Sequence, residues 1–303
     1  MASTTQSEPL ADISVELPFG QEPVTMTASI HEPAGAARAV FLCWPGGSYD
    51  RRYWQFDAVP GYSFAEHMTA QGFAVVAADH LGVGASSAPA DVDAVNLDAM
   101  ARAAGALAEA VRDRLPGVPL IGVGHSLGGC ITIITQALLG TYDGVASLGF
   151  THGAKDSVTA DAADAADARA AAVAQAKAFF ADWDAGYAIA PREPNHSWLY
   201  TASTPAEVVA ADDATATRWP RQSYVEALTT GYSASFAPRV ECPVFLGFGD
   251  HDIPERPHDE VAFYTGSSDV TLYVLEDAAH CHNFASTRTR LWDRLARWAD
   301  GDQ

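Results

Sequence analysis

The chain has 303 residues, long enough for one large α/β domain with an insertion or for two ordinary domains, and its 48% hydrophobic and 10% aromatic content supports a substantial core. A formal net charge of −20 argues against nucleic acid and anionic membrane surfaces as partners. Met1 to Leu10 lacks the basic-then-apolar pattern of a secretory signal, no stretch is apolar enough to insert in a membrane, and Cys43, Cys130, Cys242 and Cys281 are too scattered for a disulfide or zinc framework, so a cytoplasmic location is expected.

Asp12 to Phe19 and Val24 to Ile30 alternate polar and apolar residues, which predicts an antiparallel pair of edge strands. Ala39 to Trp44 is apolar on both faces, as a buried parallel strand is, and ends in Pro45-Gly46-Gly47-Ser48. Tyr53 to Gln71 reads as a helix broken by Pro60-Gly61, Gly72 can end it, and Phe73 to Ala78 is the next buried strand. A turn-rich loop, Asp79 to Ser86, precedes an alanine-rich helix from Asn96 to Leu115. The apolar run from Val118 then enters Gly124-His125-Ser126-Leu127-Gly128, and Leu127 to Leu139 has helical spacing without a proline. Glycines on both sides of Ser126 leave room for a sharp strand-to-helix reversal that holds a serine hydroxyl clear of the backbone, at the positive end of the next helix. Val145 to Phe150 adds a further strand, and this alternation predicts a parallel sheet covered by helices on both faces.

From about Lys155 the composition changes. Thr159 to Phe180 is an Ala/Asp tract whose acids are expected on one solvated helical face. Trp183, Tyr187, Trp198, Tyr200, Trp219 and Tyr224 follow, punctuated by Pro191, Pro194, Pro205 and Pro220, and read as an inserted cap or, more plainly, as extra helices on the sheet edge. The α/β pattern resumes with a strand from Cys242 to Gly249, then Asp250-His251-Asp252, a helix from His258 to Tyr264 and a last strand from Val270 to Leu275. Ala278-Ala279-His280-Cys281-His282 comes next, and a final helix from Thr287 to Trp298 places Leu291, Leu295 and Trp298 on one face. The expected division is a core of residues 1–153 and 237–303 with a cap or lid at 154–236.

A neutral serine needs a base to take its proton, a histidine titrates near working pH, and a carboxylate fixes the tautomer of that histidine. Four signals stand in one order here: Pro45-Gly46-Gly47, Asp79-x-x-Gly82-x-Gly84-x-Ser86, the Ser126 turn, and an acid then a histidine after late strands. With them the chain resembles the α/β-hydrolase superfamily, as a serine esterase- or lipase-like member with an inserted cap. The resemblance covers nearly the whole chain except the cap. It implies a mostly parallel central sheet of about eight strands flanked by helices, with a helical cap insertion.

The resemblance further implies Ser126 as nucleophile, His280 as base and Asp252 as acid. Asp252 lies three residues after Gly249, which leaves Asp250 as a turn or solvent-facing residue, and Phe150-Thr151-His152-Gly153, where some relatives carry the acid, has no carboxylate. His280 follows two small residues and so ranks above His282, which reads as a supporting or surface histidine. The oxyanion donors implied are the N–H of Leu127 and of Gly47, although Pro45 stands where the family usually has a histidine. His125 is expected as a packed support, the Asp79 loop as structural, and His80 and His251 receive no role. No metal or other cofactor is implied, and a metal site from His251, His280, Cys281 and His282 is unneeded.

A serine at the turn argues against epoxide or halide chemistry, which uses an aspartate there. The expected reaction is hydrolysis of a carboxylic ester or lactone of a bulky, mainly apolar small molecule through an acyl-enzyme on Ser126. Gly46, Ser48, Tyr49, His125 and Trp183 are the candidate substrate contacts, and Tyr49, Trp44 and Trp54 are expected near the mouth, where core packing would equally explain them. Transfer to another alcohol, amide or carbon–carbon hydrolysis, cofactor-free peroxide chemistry, and a receptor-like binding protein stand as alternatives. An exposed aromatic cap would allow pairing with a second copy as a homo-oligomer.

Overall fold

The computed structural model describes residues 11–153, 165–229 and 231–301. Strands β1 (Ala11–Phe19) and β2 (Glu22–His31) pair antiparallel, Ala11 opposite Ile30 and Phe19 opposite Glu22. On β2 the inward Val24, Met26 and Ala28 are buried between half-exposed threonines, the alternation a one-sided strand requires. β3 (Val40–Trp44) and β4 (Ala74–Ala78) are buried along their whole length.

The helix expected over Tyr53–Gln71 forms only in its second half, as α1 (Phe64–Ala70), where the Ser63 side chain accepts the Glu66 N–H. Before it Asp50 caps a single 3-10 turn, Arg51–Tyr53, and Pro60 and Gly61, the latter at φ 81°, stop that turn from growing into a helix. α2 (Leu97–Arg114) begins on Asn96, whose side chain accepts the Ala99 N–H. β5 (Leu120–His125), α3 (Leu127–Leu139) and β6 (Gly144–Leu148) follow.

Between β6 and the next sheet strand the chain leaves the sheet. Residues 154–164, where the Ala/Asp tract begins, lie outside the described residues. Beyond them come α4 (Ala165–Phe179), a short antiparallel pair of β7 (Tyr187–Ala188) and β8 (Trp219–Pro220), α5 (His196–Leu199), α6 (Ala206–Asp213) and α7 (Arg221–Leu228). α4 packs on α7, and α7 packs on α2 and α3. Asp167 is exposed on α4, as a solvated face requires. Of the tryptophans and tyrosines named in this insertion, Trp183, Tyr200, Trp219 and Tyr224 are buried and Tyr187 and Trp198 half-buried, so none of the six is an exposed aromatic of the kind expected for pairing.

β9 (Val244–Gly249), β10 (Val270–Leu275) and α8 (Arg288–Ala299) complete the chain. The helix expected at His258–Tyr264 is a 3-10 run, Pro257–Phe263, whose one buried residue is Glu260. Its carboxylate accepts the Thr151 hydroxyl and the His152 N–H, so a polar anchor rather than an apolar stripe sets the segment. Leu291 and Leu295 of α8 are buried, and Trp298 lies against Phe245.

The sheet has eight strands in the order β1-β2-β4-β3-β5-β6-β9-β10, parallel from β4 to β10. Alternate side chains of β3 divide the core. Val40 and Leu42 pack with Met100 and Ile131 of α2 and α3, while Phe41 packs with Phe64, Met68 and Leu295 of α1 and α8. All the parallel strands therefore end on one side, where side chains from several loops can meet.

Candidate active site

β5 ends at His125 and α3 begins at Leu127, so Ser126 must turn the chain alone, and it does so at φ 53°, ψ −121°. A residue with a side chain rarely adopts such a conformation, and it persists only where the surroundings over-determine it. Here the Ser126 N–H donates to the Leu148 carbonyl at 2.7 Å, and the Cys130 N–H donates to the Ser126 carbonyl at 3.2 Å. A Cβ on Gly124 would lie 2.3 Å from the Gly128 oxygen, and one on Gly128 would lie 2.4 Å from the carbonyl oxygens of Trp44 and Pro45. Both glycines of the motif are thus demanded by main chain meeting main chain.

Asp252 follows β9, and its side chain is fully buried. One carboxylate oxygen lies 2.7 Å from His280 Nδ1 and accepts the Ile253 N–H at 2.7 Å, while the other lies 2.7 Å from His282 Nε2. Burial alone would raise the Asp252 pKa, but the two imidazoles outweigh it and hold the carboxyl well below its usual range. Asp250 instead accepts the N–H groups of Asp277 and Ala278, each at 3.0 Å, which pins the turn after β10. That is the turn role expected of it. His251 is exposed beside Asp250. His282 is completely buried, which overturns its reading as a surface residue.

The loop Gly46–Tyr49 crosses in front of the turn. A Cβ on Gly46 would meet His125 Nδ1 at 2.9 Å and Ser126 Cβ at 3.1 Å, and one on Gly47 would meet the Tyr224 ring at 2.7 Å. Ser48, at φ 63°, is held from the insertion: its hydroxyl accepts the Ala190 N–H at 2.6 Å and lies 2.8 Å from the Tyr224 hydroxyl. Its carbonyl accepts the Thr217 N–H and Arg192 Nη2–H, both at 3.0 Å. Arg192 is buried, lies 3.8 Å over the Tyr49 ring and pairs with buried Asp212 at 2.6 Å, and Tyr49 donates its hydroxyl to the same carboxylate at 2.8 Å. Burial, then the nearby Asp212, push the Tyr49 phenol well up, so it stays a donor.

Two histidines brace this region. His125 donates Nε2–H to the His280 carbonyl at 2.8 Å and stacks on Tyr53 at 4.6 Å, the packed support expected of it. His80, given no role from the sequence, donates Nε2–H to the Pro45 carbonyl at 3.1 Å between the rings of Trp44 and Trp219. Burial pushes its pKa down to about 3. The Asp79 loop is structural, as expected, with Asp79 accepting the N–H groups of Arg51 and Ala85.

Ser126 and His280 line one cavity of about 320 Å³, together with Gly46, Gly47, Ser48, Tyr49, His125 and Leu127. Phe179, Phe180, Trp198, Tyr224 and Leu228 of the insertion form the facing wall. Among the described lining residues there is no aspartate or glutamate. Trp183 is not one of them; it stacks behind Phe180 at 6.2 Å. Trp44 and Trp54 are fully buried core residues, not mouth residues. The pair Arg192–Asp212 escaped the sequence reading, because it has no local motif and its contacts lie far off along the chain.

Comparison with known proteins adds the following. The profile of the family described as serine aminopeptidase, S33, matches residues 61–284, a span that holds Ser126, Asp252 and His280 and begins after the Gly46–Tyr49 loop. No curated protein sequence matches. Among solved structures the chain is similar to a soluble variant of monoglyceride lipase from Saccharomyces cerevisiae, at 14% identity over 99% of this chain and 97% of that one, TM-score 0.71. It is also similar to a thermophilic esterase from Thermogutta terrifontis, at 15% identity over 96% and 99%, TM-score 0.68. A thermostable carboxyl esterase from Bacillus coagulans gives 18% identity over 97% and 99%, TM-score 0.67. At such identities the likeness is one of fold.

Proposed function

The chain belongs to the serine aminopeptidase S33 family of α/β-hydrolases, and from that premise we propose that it hydrolyses a carboxylic ester or lactone with a neutral, mainly apolar acyl part. The observation that carries the reading is the sharing of one cavity by Ser126 and by His280, whose far nitrogen sits on buried Asp252.

Ser126 attacks the carbonyl carbon while His280 takes its proton at Nε2, and Asp252 keeps Nδ1–H in place and balances the imidazolium. The N–H groups of Leu127 and Gly47 receive the oxyanion, each worth about 3 kcal/mol of transition-state stabilisation. Collapse returns the proton from His280 to the leaving alcohol and leaves the acyl group on Ser126. Water, deprotonated by His280, then releases the acid. A lactone opens by the same steps.

The aromatic and aliphatic walls favour an apolar acyl group. The lack of a carboxylate among the described lining residues leaves nothing to pair with a free α-amino group, which favours esters over aminoacyl amides. In this reading residues 154–236 are the cap that sets acyl size, and the four free cysteines suit a reducing compartment.

Intact-mass measurement after treatment with a fluorophosphonate tests it. One adduct on the wild type and none on Ser126→Ala is expected; an unlabelled, folded wild type, or an adduct that survives the substitution, sinks the reading. A series of neutral p-nitrophenyl esters should then turn over and the matching aminoacyl p-nitroanilides should not.

A further inference from the structure

Asp252 faces two histidines, and the reaction uses only one. Its Oδ1 takes His280 Nδ1–H and the Ile253 N–H. Its Oδ2 lies 2.7 Å from His282 Nε2, and the Gly249 nitrogen lies between the two, 3.3 Å from Oδ2 and 3.1 Å from Nε2. The side chains of Asp252, His280 and His282 are 0%, 4% and 1% exposed, so bulk solvent does not reach the carboxylate and its protein neighbours are placed to supply the hydrogen bonds it needs. His282 is not among the residues lining the cavity, which separates it from His280 and keeps it away from any substrate. Its Nδ1 is buried without a hydrogen-bond partner, so a proton there would go unmet; a proton on Nε2 meets Asp252 Oδ2, and the Gly249 N–H, within reach of both Nε2 and Oδ2, then takes the carboxylate oxygen.

Both rings rest on the main chain just after β6. Gly149, at φ 69°, is the spot where a Cβ would meet His282 Cε1 at 3.1 Å, His280 Cε1 at 3.2 Å and Asp252 Oδ2 at 3.3 Å. The absence of a side chain there lets the two imidazoles close on one carboxylate from opposite ends.

We propose that His282 is a positioning residue: by donating Nε2–H to Asp252 Oδ2 it fixes the carboxylate plane, so that Oδ1 stays on His280 and holds the base in its reactive tautomer. This rests on the serine-hydrolase reading above. A carboxylate with one imidazole partner can swing about its Cβ–Cγ bond and offer either oxygen; with a donor locked on each oxygen it cannot. The second donor also draws charge away from Oδ1. Removing it makes Asp252 a stronger partner for the His280 imidazolium and raises the pH at which the base becomes protonated. The other titratable groups packed around the trio are His125, Tyr49, Tyr53 and Cys281. Burial holds the first well down and the other three up, so all four stay neutral across the working range.

The experiment is the pH profile of fluorophosphonate labelling and of ester turnover in wild type, His282→Phe and His282→Gln. Phenylalanine fills the space without a donor; glutamine returns an amide donor near the Nε2 position. In the phenylalanine variant kcat should fall roughly tenfold with KM within about twofold, and the acid limb should move up by about half a pH unit. Glutamine should restore most of the rate and return the limb. A packing role alone would leave the limb of the phenylalanine variant unmoved, and that result overturns the proposal.

If the phenylalanine variant does not fold, nitrogen-15 shifts of the wild-type histidines decide. His282 protonated at Nε2 and bare at Nδ1 supports the proposal, and the opposite tautomer overturns it. Should the wild type fail to label at Ser126, the hydrolase reading falls, while the tautomer still decides whether His282 donates to Asp252.

Discussion

The sheet and the insertion each build one side of the cavity, and they hold their parts by different means. On the sheet side, position comes from main chain pressed on main chain. Gly124 closes on Gly128, Gly128 on Trp44 and Pro45, and Gly249 on Ala278, where a Cβ would lie 2.1 Å from the carbonyl oxygen. On the insertion side, position comes from side chains that reach across. Arg192 and Tyr224 grip Ser48, while Asp212 ties Arg192 to Tyr49 and Tyr200. The first arrangement tolerates no added atom but asks nothing of side-chain chemistry. The second accepts changes of shape, provided every buried charge and hydroxyl keeps a partner. A wall of the first kind suits chemistry that must not vary, and one of the second kind suits a specificity that can.

Substitutions that attack each wall should expose the contrast. Gly128→Ala drives a methyl into two backbone carbonyls that cannot retreat, so we expect no stably folded protein, by circular dichroism and chemical denaturation. Near wild-type stability in that variant would show that the sheet side can yield after all. Arg192→Met strands Asp212 in the interior and should cost about 3 to 5 kcal/mol on chemical denaturation. Adding Asp212→Leu should recover only part of that loss, because it removes the stranded charge but leaves the Tyr49 and Tyr200 hydroxyls without their acceptor.

His80 joins the two sides, since it braces Pro45 while stacking on Trp219. Its pKa is about 3 in the folded chain and ~6.5 when unfolded, so the unfolded state binds the extra proton between those limits. Its contribution is complete above the unfolded value and drains away as pH falls toward the folded one. Between pH 6.5 and 5 the loss should be roughly 2 kcal/mol, and His80→Phe should flatten that slope in denaturation curves.

What could be read from the sequence follows the same division. Leu127–Leu139 carries its helix in its own spacing, and Gly124-x-Ser126-x-Gly128 announces a tight turn, because close backbone approach forces a glycine, against Gly128 itself at Gly124 and against Trp44 and Pro45 at Gly128. Asp252 was separable from Asp250 only through the resemblance to the α/β-hydrolases, which implies an acid three residues after Gly249. Local signals failed where distant partners decide. The run 258–264 looks helical until Glu260 is seen to serve Thr151 and His152. Trp44, Trp54 and Trp183 look like pocket aromatics until their neighbours are known, and Arg192 cannot be linked to Ser48 or Asp212 by any spacing.

β6 pairs with β9, and residues 149–243 lie between them. A parallel pair cannot close through a hairpin, so β6 must wait as an open sheet edge until that whole stretch has been made. A chain emerging from its amino end presents Ser126 and its turn early, and Asp252 and His280 last. Under the proposed reading the serine therefore spends its synthesis without its base, and a fragment ending before β9 would carry a serine with no histidine to take its proton. On that reading assembly order alone keeps an unfinished chain chemically quiet.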